Sequence, residues 1–180
     1  MLISKFGNTS NKFVSEFENV MGFPFPKQYR TFIEKYNGGE TPLTHFNING
    51  ISSDLKGFYG LGNVKYSLDS IQIEEINKIC YLPIAMDSFG NSILIEINKG
   101  EIFFKDHENG NVTKIGSSLV DFINKCESKV VNKNSIKSVE EREQDLISCG
   151  RGGIITDSLR NMWRAEIKKN NELVQEEIVL

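Results

Sequence analysis

LPIAMDSFGNSILIEINKGEIFFKDHENGNVTKI, residues 82–115, is a series of apolar, branched segments cut at short intervals by turn residues. Leu82–Asp87, Ile93–Ile97, Glu101–Asp106 and Val112–Ile115 are the segments. Ser88-Phe89-Gly90-Asn91, Asn98-Lys99-Gly100 and Asn109-Gly110 are the breaks between them. Runs of this length rich in Ile, Leu, Phe and Val, separated by Gly and Asn, read as strands. Asn-Gly is a strong hairpin signal because both residues tolerate positive φ. The spacing is that of an antiparallel meander, and it decides the fold class.

Working outward, the period changes from strand to helix. On the N-terminal side Phe13, Val14, Phe17, Val20 and Met21 recur at helical spacing. Asn8, Thr9 and Ser10 offer capping oxygens before them and Gly22 a stop after them. Pro26 fits the first turn of a second helix, whose buried stripe is Tyr29, Phe32, Ile33 and Tyr36. Asn37-Gly38-Gly39 ends it. From Leu43 to Gly62 glycines break the pattern, and short strands are expected at Phe46–Ile48 and Phe58–Leu61. Leu68, Ile71, Ile73 and Ile76 suggest a short helix ending near Asn77. On the C-terminal side Ser117 or Ser118 caps a helix carrying Leu119, Phe122 and Ile123.

Beyond Cys126 the composition shifts. SKVVNKNS (128–135) reads as a linker. Val139 to Ile147 reads as a helix, Cys149-Gly150-Arg151-Gly152-Gly153 as a break, and Asp157 to about Val174 as a longer helix. Trp163 is expected to dock this appendage. The expectation is an α+β fold with N-terminal helices packed on a twisted antiparallel sheet over residues 1–126. Residues 127–180 are expected to form a helical C-terminal extension.

Composition narrows the function classes. The chain has 180 residues, a formal net charge of -3 and no clustered Lys and Arg, which argues against direct nucleic-acid binding. A basic protein remains a suitable partner. Three cysteines, Cys80, Cys126 and Cys149, lie too far apart for a zinc motif or a disulfide framework. The opening MLISKFGNTS lacks a long apolar run, and no stretch approaches the roughly 20 residues of a membrane span, so a cytoplasmic protein without membrane contact is expected.

Three stretches together resemble a known family. FPKQYRTFIEKYNGG (25–39) has a proline, an aromatic helix and a terminal asparagine with paired glycines. LPIAMDSFGNSILIEINKGEIFFKDH (82–107) has a strand ending in aspartate, a glycine-containing turn and two further strands. SSLVDFINK (117–125) supplies the closing helix. In this order they resemble the SUKH superfamily, which includes Smi/Knr-type cell-wall regulators of fungi and many bacterial immunity proteins. The resemblance covers about Asn8 to Cys126. It implies an immunity protein that binds a cognate toxin, for instance a basic nuclease, rather than an enzyme. A regulatory scaffold and a small-molecule-binding domain are the rival readings.

Candidate site residues follow, each with a plainer role beside it. Asp87 and Asn91 match the strand–turn position and point to partner contact, but an aspartate there also accepts backbone N–H groups within its own turn. Asp54, Asp69, Asp87, Glu96, Glu101 and Asp106 would suit a basic partner if they converged on one face. Otherwise they are an ordinary solvated surface. Tyr59, Tyr66, Phe58 and Phe89 are candidate aromatic anchors or core residues, and Arg151 a candidate contact in its glycine-rich loop. A hydrolase would pair His107 with Ser88 or Cys80 and orient it by Asp106 or Asp87, yet no G-x-S-x-G elbow is present. No catalytic residue, metal ligand or cofactor is expected.

Overall fold

Each helix begins where a side-chain oxygen meets an orphan backbone N–H. The computed structural model describes residues 1–71, 74–76 and 79–180. Ser10 Oγ accepts from Phe13 N and opens α1 (Asn11–Met21), which Gly22 closes in the left-handed region. Pro26 stands one position outside α2 (Lys27–Tyr36), as its N-cap rather than in its first turn. Ser118, of the two serines at that point, caps α3 (Leu119–Lys125), while Ser117 binds the Asp121 carboxylate through its N–H and hydroxyl.

The strands are β1 (Leu2–Lys5), β2 (Gly39–Ile48), β3 (Ile51–Phe58), β4 (Glu74–Ile76), β5 (Ile79–Asp87), β6 (Ser92–Glu96), β7 (Ile102–Lys105), β8 (Val112–Gly116), β9 (Cys126–Ser128) and β10 (Glu176–Glu177). They form one antiparallel sheet in the order β10-β1-β2-β3-β5-β6-β7-β8, with β4 on β5 and β9 on β2. The meander expected from residues 82–115 is the run β5 to β8.

The helices lay their aromatic stripes on this sheet. Tyr29, Phe32, Ile33 and Tyr36 of α2 are buried, and the Phe32 ring meets Phe58 of β3 at 4.8 Å. Phe122 of α3 meets Phe46 of β2 at 5.5 Å. Each such ring withdraws a large apolar area from water, worth about 2–3 kcal/mol. Glu18 on α1 is buried too. It accepts from Phe25 N at 2.7 Å and from Arg30, which also reaches Glu34, Asn11 and Ser15. This network ties α1 to α2, and the Glu18 hydrogen bond holds the Arg30 guanidinium above its usual pKa.

Between α2 and β5 the expected elements need correcting. The short strands foreseen at Phe46–Ile48 and Phe58–Leu61 belong to one long hairpin, β2–β3. It turns at Asn49 and Gly50, whose φ values of 52° and 81° give the tight turn its positive dihedrals. A bulge with Leu43 at φ 43° interrupts β2 and hides its alternation. The helix foreseen over Leu68–Ile76 is instead a 3-10 turn, Leu68–Ser70, followed by β4. Ile73 and Asn77 lie outside the described residues.

The chain divides into two units, Met1–Val130 with Gln175–Leu180, and Val131–Val174. The final residues thus join the sheet through β10 instead of prolonging a helical extension, and Cys126 itself opens β9, which pairs with β2. Burial pushes the Cys126 thiol up to about 12. The second unit holds α4 (Val139–Ser148) and α5 (Asp157–Glu172). A reciprocal Ser138–Glu141 capping box starts α4. Arg142 binds both Glu166 oxygens at 2.9 and 3.2 Å and lies over the Trp163 ring, joining the two helices. No helix among the described residues is long and apolar enough to cross a membrane.

Candidate functional site

Asp87 is the last residue of β5, and the sheet hides it from water at 1% exposure. A buried carboxylate must have its lone pairs filled. Oδ1 accepts from the backbone N–H groups of Phe89 (2.9 Å) and Asn91 (2.7 Å). Oδ2 accepts from the Ser53 hydroxyl (2.6 Å) on β3 and from Asn91 Nδ2 (2.7 Å). Four donors from one strand and one turn therefore converge on a single side chain. The turn Ser88–Asn91 is fixed from inside, with Gly90 at φ 94°.

Asn91 carries the order one strand further. Its Oδ1 accepts from His107 N (3.0 Å) and lies 2.8 Å from His107 Nδ1, so the residue that follows the β7–β8 turn's Asp106 is tied to the β5–β6 turn. Asp106 organises its own turn by accepting from the N–H groups of Glu108 and Asn109 and from Asn109 Nδ2. On the other side Ser88 N donates to Asp54 O at 2.9 Å. The Asp54 carboxylate pairs with His45 Nδ1 at 3.0 Å, and Ser52 Oγ stands 3.3 Å from His45 Nε2. Both histidines of the chain thus stand at this end of the sheet.

Phe89 crowns the arrangement. Its backbone is held by Asp87, yet its ring is 63% exposed. A large apolar side chain on a turn fixed from inside is suited to entering a pocket on another macromolecule.

The other expected residues fall elsewhere. Glu96 is buried at the far end of β6 and accepts from Asn98 N and Lys99 N, which closes the β6–β7 turn. Glu101 pairs there with Lys114, whose hydrogen bond holds the Glu101 carboxyl below its usual pKa. The acidic set is therefore split between opposite ends of β6, and Asp87 and Glu96 are enclosed in turns. Asp69 accepts from Gly62 N, away from both groups. Tyr59 is half-buried, and burial raises its pKa. Phe58 is core, and Tyr66 sits between Lys56 and Lys65. Arg151 is exposed in the second unit, where its N–H closes α4 on Leu146 O. Sequence reading missed Ser53. Its link to Asp87 spans 34 residues and exists only through strand pairing.

The SPbeta prophage-derived uncharacterized protein YokK of Bacillus subtilis (strain 168) is 29% identical over 141 residues, covering 63% of this chain and 72% of that protein. The pattern of the SMI1 / KNR4 family (SUKH-1) matches residues 8–125, which run from the approach to α1 to the last residue of α3 and include the whole Asp87 tip. With about two thirds of its length matched, from the paired N-terminal helices through the meander, this chain belongs to the SMI1 / KNR4 family (SUKH-1).

Proposed function

We propose that the protein is an immunity protein that binds and neutralises a cognate bacterial toxin, using the end of the sheet built around Asp87. The observation that carries this reading is Phe89, an exposed ring on a turn already locked in shape. A pre-ordered anchor does not lose backbone freedom on binding, so more of its contact energy becomes affinity. Family membership supports the reading, because immunity proteins are common in this family. The prophage origin of the Bacillus subtilis relative is also in keeping with it. The protein acts as a stoichiometric cover, not as an enzyme. It works in the cytoplasm, where the toxin would act. Asp54, whose carbonyl accepts from Ser88 N, and the acidic Asp106–Glu108 turn, tied to Asn91 through His107, favour a toxin with a basic surface such as a nuclease.

The test is co-expression with a candidate toxin taken from a neighbouring reading frame, together with affinity measurement on the purified pair. The intact protein restores growth and binds one to one. Phe89→Ala weakens binding about 30-fold, the ~2 kcal/mol of an anchor residue, while folding stability changes by no more than about 0.5 kcal/mol. Unchanged affinity for that variant would remove the Asp87 tip from the interface. Failure of the intact protein to rescue growth or form a complex would remove the immunity role.

A further inference from the structure

The outer edge of β1 is covered by the chain's own last strand. Strand β10 closes that edge with only two register pairs, Leu2 with Glu177 and Ile3 with Glu176, extended by Ile178 N donating to Met1 O at 3.0 Å. One side chain of the tail, Ile178, enters the core at 7% exposure. The next residue, Val179, is held on both its N–H and its carbonyl by one hydroxyl. Tyr36 Oη accepts from Val179 N at 2.9 Å and donates to Val179 O at 3.3 Å. Two cations flank the strand, with Lys5 paired to Glu176 at 3.2 Å and Lys35 Nζ donating to Val179 O at 3.1 Å. Val179 itself is exposed.

We propose that the β1 edge, the Tyr36 hydroxyl and the seat of Ile178 form an acceptor slot for an extended segment of a partner protein. The segment has acidic side chains followed by a branched apolar residue, and the chain's own tail guards the slot. The geometry is that of strand addition, in which main-chain hydrogen bonds give affinity and a pocket for one side chain gives selectivity. The tail shows which chemistry fits, since Glu176 meets Lys5 and Ile178 fills the apolar seat. Its hold is short, and it competes chiefly because it is tethered, at an effective concentration of about millimolar. A partner strand with the same pattern and a longer ladder displaces it. This surface is separate from the Asp87 tip, so either can fail without the other.

The test uses the full chain with the tail disabled in two ways, Ile178→Asp and Val179→Pro. The probe is a fluorescent VQEEIVL peptide, the sequence of residues 174–180. Circular dichroism verifies the fold, and the proline variant carries the experiment if the aspartate variant does not fold. Both tail variants are expected to bind the peptide about tenfold tighter than the intact protein. They are expected to ignore VQEEDVL, and adding Tyr36→Phe abolishes the gain. Equal binding by intact and variant chains, equal binding of the two peptides, or dimers formed by exchanged tails at the same concentrations would overturn the proposal.

Discussion

At Asp87 one carboxylate replaces water for four donors, and the energetics of the tip follow from that arithmetic. Removing the acceptor strands Ser53 Oγ, Asn91 Nδ2 and the N–H groups of Phe89 and Asn91 in a place with little solvent. Asp87→Ala should therefore lower unfolding free energy by about 3 kcal/mol, read as a shift in the urea midpoint. Asp87→Asn should also destabilise, because its amide nitrogen must face a donor already present. A midpoint unchanged in both variants would show that the turn holds itself. The turn-forming role of Asp87 is legible in the sequence, since Asp-Ser-Phe-Gly-Asn has the composition of a tight turn. Its partnership with Ser53 and the reach of Asn91 to His107 are not legible, because both depend on which strands lie side by side.

At the scale of elements, the joint between α2 and β2 leaves no room for a side chain at two glycines. Gly38 and Gly60 let two backbones touch. A Cβ on Gly60 would lie 2.0 Å from Asn37 O, and one on Gly38 would lie 2.6 Å from Gly60 N. Asn37 spans the same joint, accepting from Leu61 N at 2.8 Å and donating to Leu61 O at 3.2 Å. Gly60→Ala should cost about 1–3 kcal/mol in thermal or urea unfolding, as overpacking against main chain does. Wild-type stability in that variant would mean that the segments part without penalty. Helices with side-chain caps and strands of the meander were readable because their signals are local. Strands β1, β9 and β10 were not, since two to four residues give no period and their pairing is long-range. Leu43 concealed β2 by placing a bulge where alternation was expected.

For the whole molecule, pH acts through carboxylates spread over both units. Asp121 is lowered chiefly by its hydrogen bond from Lys125, Glu101 by Lys114 and Glu166 by Arg142. Each is more acidic folded than unfolded, so the unfolded chain takes up protons first as the solution is acidified. The stability they contribute is complete above the ordinary carboxylate range near about 4 and fades as pH falls through it and below. The urea midpoint should hold level from neutrality to about pH 5.5 and then decline, with Asp121→Asn declining less steeply. A midpoint that rises toward pH 3 would contradict this. A change of composition after Cys126 was visible in the sequence. The return of the last residues to the sheet was not, because a single apolar side chain, Ile178, anchors them. One consequence reaches beyond this chain. The Phe89 ring makes no hydrogen bond that holds the turn together, so its identity is uncoupled from folding. A descendant can exchange the residue at that position and inherit an intact scaffold in the same generation.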